Sequence, residues 1–246
     1  MRPVAKWSVG EIVLKPDGSR CTVCAHYDPY SDAKPLLELN LGTYCSYCEN
    51  AYHLHRDLAV EHIQPKSLYE PLATSWDNFL LGCNTCNGLD NKGEKDVILA
   101  NCHLPHKNNT FLSLTYKEGG VVEVNQTLTG VSRRNAENLL SLVGLDKTPV
   151  TSRPTDNRIR KRTEDWNLAK RYLAKYQSDS CDIDTIINLV EARGGWSIWF
   201  TVFAEAKCDE VLRRLINDFP GTCAACFDPN NHYAPIERNP GQEDPV

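Results

Sequence analysis

Two Cys-x-x-Cys pairs, Cys45/Cys48 and Cys83/Cys86, enclose Glu61-His62-Ile63 and Trp76-Asp77-Asn78, and Asn87 directly follows the last cysteine. Four thiolates in two pairs suit a closed tetrahedral Zn²⁺ site, which contributes folding energy and leaves no coordination position open for a reaction. Any chemistry must then come from the residues between and beside the pairs. His62 supplies an imidazole whose neutral form can take a proton near neutral pH. The carboxylate of Glu61 and the amide carbonyl of Asn87 are hard oxygen donors that suit Mg²⁺.

These residues need elements that bring them together. His62 lies 14 residues after Cys48, and Asn78 lies 16 beyond His62, which leaves room for one β-hairpin between the pairs. Leu58-Ala59-Val60 reads as a strand running into Glu61-His62, and Phe79-Leu80-Leu81 as a second strand ending at Gly82. The run from Asn87 to Leu99 can begin a helix, weakened by Gly88 and Gly93. Folded so, the zinc pins the hairpin to the helix, and Glu61, His62 and Asn87 converge on one surface. One-metal phosphodiester hydrolysis needs such a set.

Here the sequence resembles the HNH, or ββα-metal, endonucleases in their zinc-containing form. The resemblance is tight from Tyr44 to Lys95 and is carried by Cys45/Cys48, Glu61-His62-Ile63-Gln64-Pro65, Asn78-Phe79-Leu80-Leu81 and Cys83/Cys86-Asn87, with Asn87 where the family name has its last histidine. It implies a zinc-braced ββα-metal nuclease core over 44–107; with the hairpin and helix signals beyond Pro105, an α+β fold is expected, with an N-terminal extension over 1–43 and a hairpin plus mostly helical accessory region over 108–246. It also implies that His62 activates the attacking water and that Glu61 and Asn87 hold Mg²⁺ or Mn²⁺. Asn78 would hydrogen-bond across the hairpin and shape the loop that carries His62. The ion would stabilise the leaving 3′ oxygen, giving 5′-phosphate and 3′-hydroxyl ends on nucleic acid, with DNA the expected substrate.

A looser resemblance, to the nuclease subunit of Septu-type anti-phage defence systems, is carried by Met1-Arg2-Pro3-Val4, Tyr44 to Glu49, Trp196 to Ala204 and Phe219-Pro220-Gly221-Thr222. It implies an ATPase partner that licenses cleavage. The reading from another class is a non-catalytic docking or nucleic-acid-binding subunit in which His62 is vestigial.

The 246-residue chain has a net charge of −5, which argues against coating nucleic acid through bulk electrostatics. Contacts must be local, at Lys66, Lys92 and Lys95 beside the site and at the cluster Arg153, Arg158, Arg160, Lys161 and Arg162. The alternative for that cluster is a solvated helix face balanced by Glu164 and Asp165. No signal-peptide core is seen near the N-terminus, and the longest apolar stretch, Trp196 to Ala204, is too short to span a bilayer, so a cytoplasmic protein is expected.

Of the 11 cysteines, the outer pairs Cys21/Cys24 and Cys223/Cys226 could form a second zinc site joining the chain's ends, with His26 and His232 in reserve. Unliganded reduced thiols or a zinc–thiol redox switch are the other readings. Cys102-His103 and His106 read as an exposed loop. Beyond Pro105, Phe111 to Tyr116 and Val121 to Val124 form a hairpin signal around Lys117-Glu118-Gly119-Gly120. Helices follow: one capped by Ser132 and stopped by Gly144, then Asn157 to Tyr176, Asp182 to Arg193, Trp196 to Phe203 and Asp209 to Phe219. The polar tail after Asn230 is expected to be mobile.

Overall fold

Short apolar runs punctuated by glycine and proline can pair only as small ribbons, and the chain builds its sheets this way. In the computed structural model, residues 1–148 and 156–246 are described, and every sheet among them is a two-stranded antiparallel ribbon. The first joins β1 (Ile12–Leu14) to β2 (Arg20–Thr22). Helix α1 (Lys34–Leu41) follows, with Pro35 in its first turn, where a missing N–H breaks no helical bond.

Strands β3 (Leu58–His62) and β4 (Phe79–Cys83) form the central hairpin, with Glu61 opposite Leu80 and His62 opposite Phe79. Helix α2 (Asn84–Asn87) is a single turn starting directly from β4, so the longer helix expected after Asn87 is corrected. Gly88 adopts an extended backbone (ψ 165°), and it lies so close to the Asn84 carbonyl that a Cβ would approach that oxygen to 2.6 Å. The chain turns away there, and the Lys92 N–H returns to the Cys86 carbonyl at 3.1 Å.

Helix α3 (Thr110–Ser113) leads into β5 (Leu114–Lys117) and β6 (Val121–Val124), the hairpin expected from Lys117-Glu118-Gly119-Gly120. Helix α4 (Gly130–Val143) begins two residues before Ser132 and stops at Gly144, whose left-handed φ of 58° suits glycine. Helices α5 (Arg158–Gln177), α6 (Ile183–Arg193), α7 (Trp196–Glu205) and α8 (Asp209–Asn217) complete the helical region, followed by a small ribbon of β7 (Phe227–Asp228) and β8 (Ala234–Pro235). The fold is therefore α+β, with small sheets and a helical C-terminal region. Helix α7 is apolar all round because it is enclosed: Trp196, Trp199, Phe200 and Phe203 are fully buried, with Trp196 stacked on Phe200 at 4.8 Å. No helix among the described residues is long and apolar enough to cross a membrane.

The four segments of the looser resemblance meet at one buried ion cluster. Glu49, in a left-handed backbone with φ 62°, accepts hydrogen bonds from the Ser197 N–H at 2.8 Å, from the Ser197 hydroxyl at 2.6 Å and from the Arg2 N–H. The Arg2 guanidinium donates to the Leu41 and Pro220 carbonyls and to the Thr222 hydroxyl, and lies 4.8 Å from the Phe219 ring centre. The N-terminal segment is thereby clamped between the nuclease-like core and the helical region.

The tail is held as well, contrary to the mobility expected of it. Asp244 accepts from Ser132 and Asn135, each at 2.5 Å, and from the His103 ring Nε2–H at 2.9 Å, while the Ser113 hydroxyl donates to Nδ1 of the same ring at 2.8 Å. His103 is thus fully buried rather than exposed, and both nitrogens of the neighbouring His106 ring are enclosed. A polar tail stays in place when its carboxylate completes a buried network.

Removing one partner from a buried charge cluster leaves the others uncompensated, so Glu49→Ala is expected to cost about 3–5 kcal/mol in urea unfolding. A loss under about 1 kcal/mol would show that Arg2 and Ser197 do not depend on it.

Candidate active site and cysteine cluster

The two central knuckles meet because β4 delivers Cys83 to the start of α2. The Ser46 N–H donates to the Leu81 carbonyl at 2.8 Å and the Leu81 N–H returns to the Ser46 hydroxyl at 3.2 Å, which lashes the first knuckle to the strand. The ligand sulfurs of Cys45, Cys48, Cys83 and Cys86 all lie within 4.8 Å of one another, and all four residues are buried. The Cys48 and Cys83 sulfurs are 3.8 Å apart. A tetrahedron with Zn–S bonds of about 2.3 Å has edges of about 3.8 Å, so the donor set and its spacing fit zinc. Main-chain N–H groups already support the sulfurs: Cys83 donates to Cys45 at 3.4 Å and Cys86 to Cys83 at 3.5 Å.

The outer cysteines are not gathered. The central four are the only such group of three or more metal-capable ligands among the described residues, so Cys21, Cys24, Cys223 and Cys226 do not form the second zinc site considered from sequence. Cys24 is exposed on the N-terminal side, whereas Cys223 and Cys226 are buried near the Pro3 carbonyl and the Asn109 side chain. The reserve ligands are engaged elsewhere, His26 with Thr74 at 3.2 Å and His232 with Asp209 at 2.9 Å.

Glu61 and Asn87 come together at Gly82. A Cβ at Gly82 would lie 3.1 Å from the Glu61 Cβ and 3.3 Å from the Asn87 Cβ, so the glycine makes room for two oxygen-bearing side chains. Their chemistry fits a hard divalent ion. Glu61 is only 1% exposed, however, and its Oε1 already accepts from the Lys92 ammonium at 2.7 Å and from the Tyr47 hydroxyl at 3.3 Å. Burial pushes the Glu61 carboxyl above its ordinary range, and Lys92 opposes that shift. The same ammonium donates to the His62 carbonyl at 2.6 Å. Lys92 is therefore buried and unavailable to a nucleic-acid phosphate, which corrects the surface contact expected of it.

His62 is half-buried at the end of β3, between the rings of Tyr30 (4.8 Å) and Phe79 (5.2 Å), both edge-on. Its Nε2–H donates to the Ala73 carbonyl at 2.8 Å, which fixes the neutral tautomer with Nδ1 as acceptor. Burial, then the charges of Lys66 and Lys92, hold its pKa below the ordinary 6.5 against the opposing Ala73 bond. The loop after His62 is tied down by Asn78, whose Oδ1 accepts from the Gln64 N–H at 2.8 Å and whose Nδ2 donates to the Gln64 and Leu72 carbonyls at 2.9 and 3.2 Å.

Lys66 and Lys95 are exposed, with Lys66 Nζ 4.6 Å from the Tyr30 ring centre. The basic cluster of the helical half is largely internal. Arg158 and Arg162 are buried, Lys161 caps the Arg193 carbonyl at 2.7 Å, Arg160 is exposed, and Arg153 lies outside the described residues. Sequence reasoning missed Tyr30, Tyr47 and Arg158 as neighbours of the site, and nothing in their local spacing marks them.

A hairpin and short helix joined by four thiols, with a neutral histidine ending the first strand and an asparagine ending the helix turn, define a zinc-compatible ββα-metal site. Residues 45–93 match the HNH endonuclease family, so the chain carries an HNH domain, which acts on nucleic acid in that family. Comparison with curated proteins gives no match.

Metal analysis of the purified chain should find a single zinc ion. Cys86→Ser should lose it together with the far-ultraviolet signature of the folded core, because ligand removal and unfolding are one event at a closed structural site. A fully folded, zinc-free chain would contradict that coupling.

Proposed function

We propose that the chain is a divalent-metal-dependent HNH endonuclease that hydrolyses phosphodiester bonds, with DNA as substrate. The observation that supports this reading most is His62: Nε2 is committed to Ala73, and no partner among the described residues occupies Nδ1, so that nitrogen can accept a proton from water. In this reading Asn87 and Glu61 hold Mg²⁺ or Mn²⁺, which when bound offsets charge on the leaving oxygen. Asn78 keeps the His62 loop in register, and Lys66 and Lys95 position phosphate without reading sequence. Residues 1–43 and 108–246 serve as the extension and accessory region around a 44–107 core.

The net charge of −5 predicts weak intrinsic affinity for DNA. With the looser resemblance, this supports a role as the effector of a cytoplasmic anti-phage defence system whose ATPase partner delivers or activates it. One observation favours the alternative, a non-catalytic docking subunit: Lys92 already occupies Glu61.

Nicking of supercoiled plasmid at low salt separates the two. Activity that requires Mg²⁺ or Mn²⁺ and falls about 10²–10⁴-fold in His62→Ala supports the nuclease. Equal cleavage by both proteins would overturn His62 as the base, and none by either when the ATPase partner is supplied favours the docking module.

The pH profile gives a further check. His62 must be neutral to accept a proton, so kcat/KM should be flat at neutral pH and fall only as pH drops through a value below 6.5. Lys66→Gln removes one of the charges that lower this pKa and should move the acidic limb upward. An unmoved limb would mean that Lys66 does not act on His62.

A further inference from the structure

Zinc and four thiolates together carry a net charge of −2, and the four-cysteine cluster is buried, so the charge must be compensated from within the protein. Main-chain N–H groups of the matched HNH segment supply part of it, from Cys83 to the Cys45 sulfur and from Cys86 to the Cys83 sulfur. A full cation arrives from α5, 72 residues beyond Cys86 in sequence: Arg158 Nη1 donates to the Cys86 sulfur at 3.3 Å. Arg158 is 3% exposed, and its whole guanidinium is used. Nη1 also donates to the Val143 carbonyl at 2.7 Å, Nη2 to the Gly144 carbonyl at 2.9 Å, and Nε and Nη2 to the Asp156 carboxylate at 2.9 and 2.8 Å. The cation therefore sits where three negative groups meet: a cysteine sulfur, the carbonyl end of α4 and Asp156.

Arg162, one turn along α5, is 4% exposed. It donates to the Gly120 and Leu145 carbonyls at 2.7 and 2.9 Å. Its remaining Nη1 is enclosed with no partner among the described residues.

We propose that Arg158 is an outer-shell member of the zinc centre, and that this contact makes docking of α5, and with it the helical region, conditional on bound zinc. Zinc binding converts four thiols to thiolates and releases their protons to solvent, so the local charge becomes more negative by two even after the ion's own charge is counted. That change strengthens the hold on Arg158. Linkage then requires the reverse: docked α5 tightens zinc binding. The inference goes beyond the nuclease reading and does not depend on catalysis.

The test follows zinc transfer from the 246-residue chain to a chromophoric chelator. Outer-shell partners typically contribute about 10–100-fold to metal affinity, so Arg158→Gln should weaken zinc binding by that factor. Arg158→Lys keeps the charge but loses the fork, and should fall between Arg158→Gln and the parent. Arg160→Gln, on the exposed face of the same helix, should match the parent. In the cobalt-loaded protein the Arg158→Lys variant should also shift the sulfur-to-metal charge-transfer band, which a general loss of stability would not do. Hydrogen exchange should show the first turns of α5 opening once zinc is removed. A parent chain that binds no zinc would refute the zinc assignment itself. A zinc-bound parent whose Arg158→Gln and Arg158→Lys variants hold the ion with the parent's affinity would overturn the proposal.

Discussion

Four sulfurs held within 4.8 Å of one another inside a buried core form the constraint on which the rest of the site depends. Unliganded, such thiols contribute little more than small hydrophobes. Around one ion they fasten the turn before the hairpin to the turn after it, fixing the end of β4 against the start of α2. The approach of Glu61 to Asn87 follows from that joint. Gly82 and Cys83 are adjacent, so the place where Glu61 and Asn87 approach one another is set by the same strand end that carries a ligand sulfur. The helical region meets the joint from the other side through Arg158.

The site is also an electrostatic balance. Two strand neighbours, Glu61 and His62, are tuned in opposite senses by burial, one carboxyl pushed up and one imidazole pushed down. Lys92 moderates the first and reinforces the second while donating to the His62 carbonyl. A neutral imidazole suits the proton acceptor of the proposed reaction, whereas Glu61 must exchange its Lys92 partner before it can hold a metal. The same pair explains why Lys92 is withdrawn from the surface.

Much of this was legible in the sequence, for identifiable reasons. Both strands of the central hairpin have short apolar runs with a clear stop, and the Cys-x-x-Cys spacing states its own geometry. The helix after Asn87 was over-read because local propensity does not show that Gly88 must turn away from the Asn84 carbonyl. The basic cluster was read as one patch, although helical periodicity places Arg158 and Arg162 on one face, four residues apart, and Arg160 on another. Their burial partners, Cys86 and the ends of other elements, lie too far along the chain for any local pattern to show. The tail looked mobile because its polar composition gives no sign that Asp244 completes a network around a buried histidine. The clamp between Arg2 and Glu49 was visible only as letters of a resemblance, and its physical role needed the fold.

The central claim is that the thiolate metal organises the site while His62 and the hard-metal donors carry the reaction. Exchange of the thiolate-bound zinc for cadmium, followed by single-turnover cleavage of plasmid with Mg²⁺, tests this directly. The larger, softer ion satisfies the same four sulfurs, so the account predicts an unchanged cleavage rate and an unchanged Mg²⁺ dependence. A rate that follows the identity of the thiolate metal would contradict it, because the closed site would then be taking part in the chemistry.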